Sequence, residues 1–313
     1  MIHFTIAIAV AWIICGFARL AGAPVNHIIL ASILLLGAAC WSVYGIWSSF
    51  HPAVRHINVE IKNLPKNWEG RTIAHLSDIH LGHNYGKKFA RRIVSQVNAM
   101  KPDLIVVTGD ILDGMGGDFV QQIKPLKELS APLGKFAVTG NHEYYVGMNR
   151  ALTILKKTRL NMLNNERVHI DGLDILGVGY PGIHHPEEIK NLPMDGSSAA
   201  PRILLFHTPT NLKIKTDVRS DGHFATYWMP DTSFTLNKAL KIDLQLSGHT
   251  HHGQIFPFNF LTGWLFKGYD YGLNQIGGLQ LYTSAGTGSW GPPMRTSGRP
   301  EIALITLTGS ASK

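Results

Sequence analysis

Residues 103–110 read DLIVVTGD. The four aliphatic residues at 104–107 stand in an unbroken row, too short for a globular helix and without polar alternation. That is the form of a strand buried on both faces, which occurs where helices or a second layer cover each side of a sheet. The row closes on Thr108-Gly109-Asp110, a turn signal whose glycine lets the backbone bend sharply. The same form recurs in TIAHLSD (72–78), GKFAVTGN (134–141), RILLFH (202–207) and IDLQLSGH (242–249). LDILGVGY (173–180), LQLYTSAG (279–286) and EIALITLTG (301–309) read as three more strands. In GKKFARRIVSQVNAMKP (86–102), Phe89, Ile93, Val97 and Met100 recur at spacings of four or three, one face of a helix. The stretches 119–129 and 150–158 are weaker helical candidates. Helices alternate with strands early and grow sparse later, which predicts a mixed α/β fold with two sheets.

Composition bounds the rest. The chain has 313 residues and a formal net charge of +8. Arg19 is the only Asp, Glu, Lys or Arg within 1–50, so 51–313 carries +8 minus +1, or +7. That balance suits an anionic substrate or membrane surface. No Lys/Arg cluster with interleaved aromatics is present, so nucleic acid is not expected as a partner. The two cysteines, Cys15 and Cys40, both lie in the apolar N-terminal part, leaving no disulfide framework for the remainder.

The first fifty residues differ from all that follows. Residues 2–17 and 28–47 are apolar stretches without formal charge, and about 20 apolar residues span a bilayer core as a helix. Arg19 can snorkel, extending the first helix to residue 21, and Gly22 and Pro24 suit a turn between the two. A cleaved signal peptide would need a basic start, and a second, longer span follows the first. The expectation is a transmembrane helical hairpin over 1–50, with helices at 2–21 and 28–47. Arg55, Lys62, Lys66 and Arg71 follow it, against Arg19 alone in the loop, which puts the rest of the chain in the cytoplasm by the positive-inside rule.

Chemistry-bearing residues collect at the strand ends: Asp78 and His80, Asp110, Asn141 and His142, His207, and the SGHTHHGQ stretch (247–254) with His249, His251 and His252. An Asp or His at one strand end is ordinarily a turn residue. Ligand types at five strand ends together form a pattern, because sites in open α/β sheets form outside the carboxyl ends of the strands. If 249–251 is extended, His249 and His251 point to one side and His252 away. Seven candidate ligands (Asp78, His80, Asp110, Asn141, His207, His249 and His251) with His142 to spare are too many for a closed structural zinc site, and no cysteine favours one. The set suits two divalent ions, Mn²⁺ first, with Fe²⁺/Fe³⁺ or Zn²⁺ as alternatives.

The ordered set D-x-H, GD, GNH, H, GHTH over about 70–255 resembles the calcineurin-like metallophosphoesterase superfamily. GNHEYY (140–145), GHTHHGQ and PPMRTSGRPEI (292–302) resemble its membrane-associated bacterial branch, in which His252 replaces the usual glycine. The resemblance implies a two-sheet αββα sandwich over about 55–310 and a phosphoester hydrolase. It implies Asp78, His80 and His251 on one metal, Asn141, His207 and His249 on the second, Asp110 bridging, and His142 facing the substrate phosphate. Asp113 could orient a ligand or be a turn residue, and Arg295 and Arg299 could contact phosphate or lie in solvent. His252 is expected exposed or behind the ligands.

The branch resembles enzymes that cleave the pyrophosphate of UDP-2,3-diacylglucosamine in lipid A assembly at the bacterial inner membrane. The aromatic-rich stretches HFATYWMP (223–230) and FPFNFLTGWLF (256–266) read as loops beside the site that either face the lipid or cover the core. A general phosphodiesterase on soluble or envelope phosphoesters and a non-catalytic membrane scaffold are the other readings of the same residues. The sequence says nothing of oligomeric state.

Overall fold

The computed structural model describes residues 1–193, 200–214 and 229–310. Two long helices, α1 (Ile2–Leu20) and α2 (His27–Ser49), precede everything else. The strands are β1 (Ala53–Lys62), β2 (Thr72–Leu76), β3 (Leu104–Thr108), β4 (Lys135–Val138), β5 (Asn161–Met162), β6 (Glu166–Ile170), β7 (Leu173–Val178), β8 (Arg202–Phe206), β9 (Leu244–Ser247), β10 (Gly272–Ile276), β11 (Leu279–Thr283) and β12 (Glu301–Ser310). Between them run α3 (Lys87–Met100), α4 (Phe119–Gln122), α5 (Asn141–Val146), α6 (Met148–Leu155), α7 (Thr235–Ala239) and α8 (Phe258–Leu265).

The strands form two six-stranded sheets, in the orders β1-β12-β2-β3-β4-β5 and β10-β11-β9-β8-β7-β6. Strand alternation explains the layering. Ile73, Leu104, Val106, Ile203, Leu205, Leu244 and Leu246 point between the sheets into one buried core. Their neighbours Ala74, Leu76, Ile105 and Val107 point outward against Phe89, Ile93 and Val97 of α3. Leu204 and Phe206 do the same on the far sheet, against Leu212, Phe234 and Leu240. The unbroken aliphatic rows are therefore central strands filling two layers at once.

Several expectations need correction. The stretch 119–129 is not one helix: α4 lasts four residues and Lys124–Glu128 is a 3₁₀ turn. Pro125 lacks the N–H that a continuing α-helix requires. The second helical candidate is α6, which begins at Met148 and runs into a 3₁₀ turn at Lys156–Thr158. Most of the aromatic stretch 256–266 is helix α8 rather than loop. In the other aromatic stretch, residues 223–228 lie outside the described residues.

α1 and α2 pack on each other, and only 11% of each apolar 18-residue window is buried, unlike a core helix of a globular domain. Asn26 caps α2 by accepting from the Ile28 and Ile29 amides at 3.1 Å. The hairpin returns to the sandwich at its open ends. His3 Nε2 lies 3.0 Å from Thr296 Oγ1, and the Arg295 amide donates to the Gly45 carbonyl at 2.9 Å.

Strand direction then fixes where the hairpin meets the sheet. β1 is parallel to β12, β12 antiparallel to β2, and β2, β3 and β4 are mutually parallel. The start of β1, separated from the end of α2 by three residues, thus shares a rim with the carboxyl ends of β2, β3 and β4. Leu205 is fully buried between the sheets. We expect Leu205→Ala to cost about 2–5 kcal/mol, read from denaturant unfolding of the detergent-solubilised protein.

Candidate metal centre

The rim of the two sheets brings the sequence-nominated side chains together. Asp78 and His80 follow β2, Asp110 and Asp113 follow β3, Asn141 and His142 open α5 after β4, His207 follows β8, and His249 and His251 follow β9. They form two adjoining clusters. In one, His80 Nε2 lies 3.0 Å from His251 Nε2, and Asp78 Oδ1 lies 3.4 Å from His251 Nε2. In the other, Asn141 Oδ1 is 3.0 Å from His207 Nε2 and 2.9 Å from His249 Nδ1, while the two imidazole nitrogens are 3.2 Å apart. Asp110 Oδ2 reaches both sides, 3.1 Å from His207 Nε2 and 3.9 Å from His80 Nε2.

These spacings fit cations. Ligand atoms on one ion, with bonds of about 2.1 Å meeting at roughly 90–110°, lie about 3.0–3.4 Å apart. Imidazole nitrogens 3.0 Å apart repel unless a proton or an ion sits between them. The groups Asp78–His80–His251 and Asp110–His207–His249 each converge within 4.8 Å, as does His80–Asp110–His142.

Electrostatics agree with the geometry. Burial pushes the His249 imidazole down to about 3, and His251 to about 4, so both rings keep their lone pairs at neutral pH. Burial opposes charge on His207 too, but the Asp110 carboxylate outweighs it and raises His207 to about 9. Burial disfavours charge on Asp78 and Asp110 as well, yet the imidazoles around them hold both carboxyls well below the usual range.

The backbone is strained where the groups converge. Asp78, His80, Asp110, His249 and His251 have φ between 50° and 73°, a left-handed region costly for residues with a Cβ. The segment 249–251 is therefore a turn, not extended backbone, and it sends His249 and His251 to different clusters. His252 keeps the left-handed conformation expected of a glycine, at φ 48°. Its Nδ1 donates to Asp270 Oδ2 at 2.9 Å and its half-buried ring stacks on Tyr271 at 4.6 Å. At Gly248 a Cβ would fall against Ser77 Oγ and Asp78 Oδ2, so only glycine lets β9 end against Asp78.

Supporting residues hold the rings. His207 Nδ1 donates to the Thr108 carbonyl at 2.7 Å, which leaves Nε2 free toward Asp110. His142 Nδ1 donates to the Asp113 carbonyl, and the Asp113 side chain faces His80 Nδ1 at 3.6 Å. Arg295, 1% exposed, donates to the His251 carbonyl at 2.9 Å and lies 2.9 Å from its Nδ1. It is neither a solvated surface residue nor placed among the lining of the cavity described below. Arg299 sits at the hairpin foot, 3.4 Å from the His51 carbonyl and over the Trp47 ring.

Sequence reasoning missed Glu143. Fully buried, its carboxylate accepts from the amides of Asp110 at 2.9 Å, Leu112 at 3.0 Å and Gly140 at 2.8 Å, tying the ends of β3 and β4 together. Burial and then the Asp110 charge push it up to about 7. The available signal was its place in GNHE: an acidic residue at the third position of α5 turns back onto the helix start.

One cavity opens on this rim, with a volume of about 570 Å³. Asp110, Asn141, His142, His249 and His251 form its floor, and Tyr145, Ile255, Phe258, Leu261, Leu265 and Trp290 its walls.

Two substitutions probe the frame. Glu143→Ala strands three buried amides and should cost about 3 kcal/mol. Gly248→Ala should displace Asp78 and lower the metal content of purified protein by about one ion, measured by elemental analysis beside a thermal-unfolding control.

Comparison with known proteins gives the family. The calcineurin-like phosphoesterase family model matches residues 71–253. An uncharacterized metallophosphoesterase of Campylobacter jejuni is 34% identical over 90% of this chain and 72% of its own length. One from Aquifex aeolicus is 33% identical over 89% of this chain and 98% of its own. A Danio rerio protein named as a transmembrane protein with a metallophosphoesterase domain is 30% identical over 88% of this chain, which spans 62% of it. That relative and the two apolar helices together suggest membrane association. With His and Asp side chains arranged to bind metal ions on a two-sheet fold, this chain belongs to the calcineurin-like metallophosphoesterase family and is a phosphoester hydrolase.

Proposed function

We propose that the chain is a membrane-anchored hydrolase, with a hairpin anchor at 1–50 and a catalytic domain at 55–310, that cleaves a phosphodiester or pyrophosphate bond in a lipid-linked substrate. Asp78, His80 and His251 hold one divalent ion, Asn141, His207 and His249 a second, and Asp110 lies between them. Mn²⁺ is the first choice, Fe or Zn the alternatives. Bound there, the ions supply the Lewis acidity that activates water and offsets charge on a phosphoryl group. His142 keeps Nδ1 on the Asp113 carbonyl and lines the cavity, so its Nε2 can deliver a proton to the leaving oxygen. Arg295 and Glu143 touch no substrate in this reading; they position His251 and the ends of β3 and β4. A non-catalytic scaffold would have no use for the spare imidazole.

The observation that carries the lipid assignment is the shared rim. The ligand-bearing ends of β2, β3 and β4 and the foot of the hairpin lie at the same edge of the sheet, and the apolar-walled cavity opens there. Phosphate at the cavity floor and acyl chain along its walls match that polarity. Lys88 and Arg92 line the groove beside the hairpin foot, where they suit anionic headgroups and the cytoplasmic face of a bacterial inner membrane. UDP-2,3-diacylglucosamine has the required chemistry: a pyrophosphate, a nucleotide and two acyl chains.

The test compares release of UMP from UDP-2,3-diacylglucosamine with hydrolysis of bis-p-nitrophenyl phosphate by detergent-solubilised protein with Mn²⁺. We expect higher kcat/KM on the acylated substrate. His142→Ala should lower kcat on it by about 10²–10⁴-fold with both ions retained. Equal turnover of the soluble diester makes the enzyme a general phosphodiesterase. Loss of an ion in His142→Ala makes His142 a ligand rather than the proton donor.

A further inference from the structure

We infer that the outer face of α8 is a third membrane contact, an interfacial helix that lies in the bilayer surface beside the hairpin. The helix reads FNFLTGWL and carries no charge. One side faces the cavity through Phe258, Leu261, Thr262 and Leu265. The other leaves Phe260 67% and Trp264 75% exposed among the described residues. A helix apolar on both sides at the surface of a domain has an apolar environment on its outer side.

The hairpin says what that environment is. Trp41 of α2 packs on Phe256 with ring centroids 5.3 Å apart, and Phe256 packs on Phe260 at 5.9 Å, so one aromatic string joins the hairpin to α8. Trp41 lies eight residues before the end of α2, about 12 Å along the helix axis. The last turns of α2 belong to the sandwich: Gly45, Ser48 and Ser49 are buried, and the Arg295 amide bonds Gly45. Trp41, Tyr44 and Trp47 are part-exposed and form the aromatic belt expected where a span meets the membrane surface. Phe256 is therefore beside the hairpin at the level of that belt, and α8 continues from it along the surface. Exposed Lys267 just past α8 is placed for anionic headgroups. A bilayer is the partner that fits both the hairpin and this face, because the two surfaces are continuous.

The inference does not depend on the substrate. Its test is the depth of spin labels in the full chain, reconstituted in vesicles of phosphatidylethanolamine and phosphatidylglycerol. Cys15→Ser and Cys40→Ser first remove the native thiols. Labels then go at Phe260→Cys and Trp264→Cys, with Leu36→Cys in the hairpin and Lys66→Cys, at the far end of the sandwich, as references. We expect oxygen to relax labels 260 and 264 more than a water-soluble nickel chelate does, as at 36 and opposite to 66. Labels 260 and 264 that behave like 66 overturn the inference. Labels shielded from both reagents overturn it as well, because the face then meets another protein copy. Two independent label positions guard against a single variant that fails to fold.

Discussion

Two carboxylates, Asp78 and Asp110, are buried at the ends of adjacent parallel strands, with five imidazoles close around them. Burying even one unpaired carboxylate is costly, and two so close are tolerated only with positive charge among them. That requirement organises the rest of the rim. The left-handed backbone at Asp78, His80, Asp110, His249 and His251 turns side chains inward, glycine at 248 gives Asp78 its space, and Glu143 fastens two strand ends with three amides. Each feature is unfavourable or neutral alone. Together they make a seat for cations that a two-sheet core is rigid enough to hold.

The same rim carries the join to the two apolar N-terminal helices. The segment 292–297 connects them: the Arg295 amide holds Gly45 of the hairpin while its guanidinium holds the His251 carbonyl. A Cβ on Gly45 would lie 2.5 Å from Thr296 Cγ2, so the helix approaches this segment as closely as a glycine permits. The two N-terminal helices and the His/Asp cluster thus share one structural element, and the cavity over the cluster has an apolar wall and a polar floor.

Much of this was legible in the sequence, for identifiable reasons. Central strands announce themselves because both faces are buried, so β2, β3, β4, β8 and β9 read as aliphatic rows ending in small polar residues. Their ends could be read because ligand chemistry uses few residue types. β1 did not read as a strand: it is an edge strand beside β12, its first half is exposed through Val54, Arg55 and His56, and only Ile57, Val59 and Ile61 turn inward between exposed Asn58, Glu60 and Lys62. α8 did not read as a helix, because FNFLTGWL lacks the polar face that marks one in water; its outer side has none to show. Arg295 looked like a free cation, since burial of a guanidinium depends on tertiary partners from 251 and 288. Glu143 was hidden because its carboxylate bonds backbone amides, which have no letter in the sequence.

The most direct test of the two-ion seat is a crystal structure of metal-loaded protein with anomalous scattering at the metal edge. The account predicts two peaks about 3.5–4 Å apart, with Asp110 touching both, Asp78, His80 and His251 on one, and Asn141, His207 and His249 on the other. A single peak, or His142 bonded directly to an ion, would contradict it.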